Sequence, residues 1–160
     1  MIAREELIEK LQRDLTRKTY SFVEYVTMAS PYVPEGREPM WELLLRLRTE
    51  ERQHAELLSR LIVALGGIPN PGLFDEGAAD TNYLHIDYLY KLLIRHKEQS
   101  VKEFEQRVND SSGFPEARAV LLKILEDEKE QLAVLRECFE KCVGASPSKK
   151  GSNTKVDADK

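Results

Sequence analysis

The 160-residue chain has only two cysteines, one tryptophan, eight glycines and seven prolines. Two cysteines cannot build a disulfide scaffold, and they fit a reducing cytoplasm, the expected location. No run of about 18 apolar residues occurs, so neither a transmembrane helix nor a membrane partner is expected. The N-terminus, MIAREELIEK, carries charges where a signal peptide needs an apolar stretch, so export by that route is not expected. Neither sign of charge dominates: 24 basic against 28 acidic side chains give −4, which offers nucleic acid nothing. There is no phosphate-binding glycine loop, no nucleophile–His–Asp arrangement, no strand pattern and no internal repeat beyond helix pairs. What remains is 41% hydrophobic and 32% charged, the balance of one folded domain.

The few glycines and prolines cluster, and they divide the chain into four helical segments. The first runs from about Arg4 to Ala29, with Leu7, Leu11, Leu15, Phe22 and Val26 at helical spacing, and stops at Ser30-Pro31. The second starts near Pro39, a suitable first-turn residue, and ends before Gly66-Gly67; its stripe is Leu44, Leu47, Leu58, Leu61, Ile62 and Leu65. The third spans roughly Thr81 to Val108, with Ile86, Tyr90, Ile94, Val101 and Phe104 on one side. The fourth runs from about Pro115 to Val143 on Leu121, Ile124, Leu125, Leu132, Leu135 and Phe139. From Gly144 the chain has almost nothing to bury, so 1–143 reads as the folded domain and 144–160 as a disordered polar tail.

Connection lengths point to a topology. The first and third loops are short and suit antiparallel neighbours. The middle connection, about 15 residues, reaches about 50 Å when extended. A helix of about 26 residues is near 39 Å long, so this connection can run the whole length of a bundle. The expected fold is all-α: two helical hairpins joined by one long crossover between residues 66 and 81, with helices two and three parallel. An up-down-up-down bundle is the alternative.

Polar residues interrupt the apolar stripes at matched depth. At about 100° per residue, Glu51 falls on the centre line of Leu44, Leu47 and Leu58, with His54 one turn on. Glu128 falls among Leu121, Ile124, Leu132 and Leu135, with Gln131 one turn on. A buried carboxylate without a partner is very costly, so two of them need a counter-charge. A metal pair is one way to supply it, since di-iron bundles place glutamate and Glu-x-x-His side chains inward. Oxygen and imidazole ligands suit iron, manganese or zinc.

EERQHAELLSRLIVALGGIPN and LLKILEDEKEQLAVL resemble the second and fourth helices of bacterioferritins and other ferritin-like proteins. The spacing from Tyr25 through Glu51 and His54 to Gly67-Ile68-Pro69-Asn70 fits without a gap, and the resemblance covers roughly residues 5 to 140. It implies that Glu51 and His54 match ligands of one iron, that Glu128 matches a bridging ligand and that Tyr25 stands beside the iron pair. Gln131 stands where bacterioferritins have the second histidine. Those proteins bind haem through a methionine directly after the helix-two glutamate; here that residue is Arg52, so no haem is expected.

The departures are as informative. The resemblance requires a glutamate on helix one, seven residues before the tyrosine, and this chain has Lys18. The centre of the helix-three stripe is Lys97. The nearest carboxylates, Asp14 and Glu98, are the weaker ligand candidates: Asp14 is one turn early and about 60° off the stripe, and Glu98 is turned nearly 100° from Lys97. A lysine ammonium cannot ligate iron and repels a dication, but it can neutralise a buried glutamate.

Three functions stay open. The first is a ferritin-like protein with a decayed di-iron centre, acting as a binding or assembly module with at most weak iron binding. The second is a working ferroxidase or iron carrier, oxidising Fe(II) with dioxygen or peroxide at Glu51, His54, Glu128, Gln131, Asp14 and Glu98. The third is a plain structural bundle. A homodimer is expected, since ferritin-like proteins commonly pair side by side. A 24-subunit cage is not, because the polar tail stands where bacterioferritins have the short helix that closes the cage. Cys138 and Cys142 read as reduced packing thiols, and His85 and His96 as solvated side chains turned from the core.

Overall fold

The computed structural model describes residues 2–73 and 84–144. Its helices are α1 (Arg4–Thr19), α2 (Phe22–Met28), α3 (Glu38–Ala64), α4 (Ile86–Asp110) and α5 (Pro115–Val143). Together α1 and α2 fill the first position of a four-helix bundle, which corrects the expectation of one unbroken helix to Ala29. The break has a local cause. Ser21 takes an extended conformation and its side chain accepts a hydrogen bond from the Glu24 amide, so it caps a new helix. Ser21-Phe-Val-Glu24 is a capping sequence that the continuous apolar stripe had masked.

The other ends follow their punctuation. Pro39 and Pro115 sit in the first turns of α3 and α5. Gly66, at φ +93°, takes the left-handed conformation after α3. At Gly67 a Cβ would stand 2.9 Å from both Ile62 and Ile8, so the chain leaves α3 pressed against α1. The third helix begins at Ile86 rather than Thr81; residues 74–83 of the crossover, like the tail from 145, lie outside the described residues. His85 opens α4, its Nδ1 accepting from the Asp87 amide. Two hydrogen bonds tie this point to the first loop: Tyr32 N–H donates to Leu84 O, and Ile86 N–H to Tyr32 O.

Side-chain pairings set the helix directions. Tyr90 OH donates to Met40 O at 2.6 Å, Lys97 meets Glu51, and Phe104 shares an apolar cluster with Leu58, in ascending order on both helices. So α3 and α4 run parallel, which requires the long crossover. Tyr90 lies against Phe139 and Glu105 pairs with Lys129, so α4 and α5 are antiparallel.

The core comes in two parts. One holds Leu7, Leu11, Leu58, Ile62, Phe104 and Leu121. The other holds Met40, Leu44, Leu47, Leu89, Tyr90 and Leu135. Between them along the stripes lies a layer of buried polar side chains.

Candidate metal centre

Four helices build this layer, each by an inward stripe position. Lys18 comes from the last turn of α1, Glu51 and His54 from the middle of α3, Lys97 from α4, Glu128 and Gln131 from α5. Each is at most 5% exposed, so bulk water cannot neutralise the charges. The structure brings all six together. Lys97 Nζ donates to Glu51 Oε1 (2.6 Å), Glu128 Oε1 (3.1 Å) and Gln131 Oε1 (2.7 Å). Lys18 Nζ donates to Glu51 Oε1 (2.9 Å) and to Glu128 Oε1. Two ammoniums and two carboxylates sum to zero charge, the condition a low-dielectric interior favours.

The titration directions follow. Burial pushes the Lys97 ammonium down, but Glu51 and Glu128 outweigh it and hold the group above its ordinary 10.5. Burial likewise pushes the Glu128 carboxyl up, and Lys18 and Lys97 together hold it well below its ordinary 4.5.

His54 completes the layer. Its Nε2 lies 2.9 Å from Asp127 Oδ2. A carboxylate accepts, so Nε2 carries the proton that faces Asp127. The other ring nitrogen, Nδ1, lies 3.6 Å from Glu128 Oε1 with no hydrogen-bond partner, and Glu128 Oε2 has none either. Two partnerless polar atoms side by side leave a place for a shared cation. One donor atom from each of Glu51, His54 and Glu128 lie within 4.8 Å of one another, so this donor set fits one divalent cation. A pair of metals does not fit: ammoniums stand on the α1 and α4 sides, where a pair needs two more carboxylates.

Neither weaker ligand candidate supplies them. Asp14 is buried but held by Arg107, Nε to Oδ2 at 2.6 Å and Nη2 to Oδ1 at 3.1 Å. Glu98 lies at the surface, where Arg136 Nη2 meets it at 2.7 Å. Gln131 turns its amide nitrogen to Glu50 Oε2 at 2.8 Å. Tyr25 stands beside the layer, lining a cavity that also touches Lys18 and Glu51. Arg52 pairs with Glu24. Both histidines are exposed, as expected of side chains turned from the core; His96 stacks on Phe22, ring centroids 4.5 Å apart, which partly desolvates it and lowers its pKa, and His85 caps α4. Cys138 and Cys142 are free and half-buried.

Sequence periodicity missed Asp127 and Arg107. Asp127 lies off the α5 stripe, and the only signal was its place next to Glu128, one helical step toward α3. Arg107 reaches inward from the edge of its stripe, which no period identifies.

Residues 8–145 match the family model of the ferritin-like domain. A solved structure of ferritin-like, diiron-carboxylate proteins from Bacillus anthracis str. Ames is similar, with a TM-score of 0.69 and 20% identity, covering 87% of this chain and 99% of that one. At that identity the likeness bears on the fold alone. No curated protein matches. With the family model spanning most of the chain and the crossover bundle beneath it, this protein belongs to the ferritin-like domain family.

Proposed function

We propose that this chain is a ferritin-like binding or assembly module in which a Lys–Glu ion-pair layer has replaced the two-metal centre. One observation carries the reading: the Lys18 and Lys97 ammoniums each reach both Glu51 and Glu128, where a metal pair would need negative ligands. Oxidation of Fe(II) builds up charge that carboxylates must stabilise. Two fixed cations oppose that charge, and zero net charge leaves little to attract a dication. A homodimer in the cytoplasm goes with this reading as part of the proposal.

The partnerless His54 Nδ1 and Glu128 Oε2 favour a second reading, a bacterioferritin-type iron protein without haem that keeps one cation on Glu51, His54 and Glu128. When bound, iron there would supply one-electron transfer to dioxygen or peroxide. Here Asp127 would fix the His54 tautomer, and the bundle would exclude bulk water.

Elemental analysis of protein from iron-fed cells, with a stopped-flow Fe(II) oxidation assay, separates the two. The module reading expects well under one iron per chain and oxidation at the buffer rate. Stoichiometric iron with oxidation above that rate overturns it.

A further inference from the structure

A cavity of about 620 Å³ opens where α1 breaks into α2 and lies against α4. Its size is that of a small-molecule site. Phe22, Val23, Leu93 and Phe104 form its apolar part, the Arg17–Glu103 ion pair also lines it, and its floor is the buried polar layer, reached at Lys18, Lys97 and Glu51. Phe22 is stacked on His96, so one wall is a pair of flat rings. The break that borders this space comes from Ser21, which starts a new helix where a continuous one would run on.

The floor has a directional feature. An ammonium carries three N–H donors. Those of Lys97 have three acceptors, Glu51, Glu128 and Gln131. Lys18 has two, Glu51 and Glu128, and stands 5.3 Å from the centroid of the Phe104 ring. One Lys18 donor is therefore without an acceptor among the described residues, at the bottom of a cavity with aromatic walls. The floor is also already neutral, two positive charges against two negative. A charged guest would leave an unbalanced charge beside it, which is costly in this surrounding.

We propose that this cavity binds a small, uncharged, largely aromatic molecule whose single acceptor oxygen, a ketone or aldehyde carbonyl, takes the free N–H of Lys18. The ring lies between the Phe22 wall and Phe104, and the carbonyl points to the floor. The binding is non-covalent: both lysine nitrogens are committed to the Glu51 and Glu128 carboxylates, so no imine forms. The proposal rests on the reading that ammoniums, not metals, fill the centre. Iron content measured on the same sample tells failure of that reading apart from failure of this one.

Benzophenone is a suitable probe, being an uncharged aromatic ketone that links to nearby C–H bonds on irradiation. The full chain is titrated with it, irradiated, digested and mapped by mass spectrometry. Saturable labelling at one site per chain is expected, on peptides from 16–25 and 93–104. Ser100→Trp, which places a large ring in the lined space and removes no ion-paired side chain, should cut labelling at least tenfold while circular dichroism stays unchanged. The anionic 4-benzoylbenzoate should label at least tenfold less. Should Ser100→Trp not fold, the peptide map and the comparison of the two ketones on the unmodified protein decide alone. Non-saturable labelling, labelling confined to other peptides, or preference for the anion overturns the proposal.

Discussion

Lys97 and Glu51 face each other across the bundle, ammonium to carboxylate at 2.6 Å, from helices that run parallel only because of the long crossover. The pair lies between two apolar clusters, with 5% or less of either residue exposed. In this position a charge is held by its partner and not by solvent. Removing one partner therefore costs more than the pair itself contributes.

Lys97→Met tests that directly. It leaves two carboxylates sharing Lys18 alone. The expected loss is about 3–5 kcal/mol in urea denaturation, the cost of stranding a buried charge. A loss below about 1 kcal/mol, the scale of an exposed pair, means that the layer is open to water.

Replacing both lysines by glutamate should reverse the metal preference. Lys18→Glu with Lys97→Glu places four acidic groups where charges now cancel, so the apo-protein should be markedly destabilised. Zinc or Fe(II) should restore it, because a ligand that binds only the folded state stabilises by mass action. In thermal melts, 100-fold excess over Kd should return about 2.7 kcal/mol. The unmodified protein should show no comparable zinc-dependent gain.

The bundle was legible because four amphipathic stripes and one overlong connection leave few topologies. The depth of Glu51, His54 and Glu128 was legible for the same reason, since a period locates any residue on a stripe. Lys18 and Lys97 could be placed on their stripes, but their partners could not be named, because pairing depends on how four helices rotate against each other. The break at Tyr20–Ser21 was missed because Leu15, Phe22 and Val26 keep helical spacing across it. With the break went the cavity, which Tyr20, Ser21 and Phe22 line at the start of α2.

Stability should fall at both ends of the pH scale. Glu128 in the folded protein titrates well below 4.5, so its contribution is present above that value and lost as pH falls through the folded value. Lys97 titrates above 10.5, so its contribution is complete below that and lost as pH rises through the folded value. A plateau from about pH 5 to 10 is expected in urea denaturation. In Lys97→Met the alkaline decline should flatten, and an unchanged alkaline limb would assign it to another group.

Asp14→Asn separates a structural clamp from a metal ligand. Asp14 takes two hydrogen bonds from Arg107, which also bonds Asp110 at 2.8 Å. Asparagine keeps one acceptor and loses the charge, and Arg107 retains Asp110, so the loss should be about 2 kcal/mol, the range for hydrogen bonds to charged groups. Arg107→Met removes both hydrogen bonds to the buried Asp14 carboxylate, while Asp110 keeps Lys10 and Gln106, and should cost more. Neither change touches the donor set at Glu51, His54 and Glu128, so zinc binding by the Lys18→Glu, Lys97→Glu protein should keep its affinity when Asp14→Asn is added. A tenfold weaker zinc affinity in calorimetry would instead make Asp14 a ligand, and Arg107 a guanidinium that must swing away before metal enters.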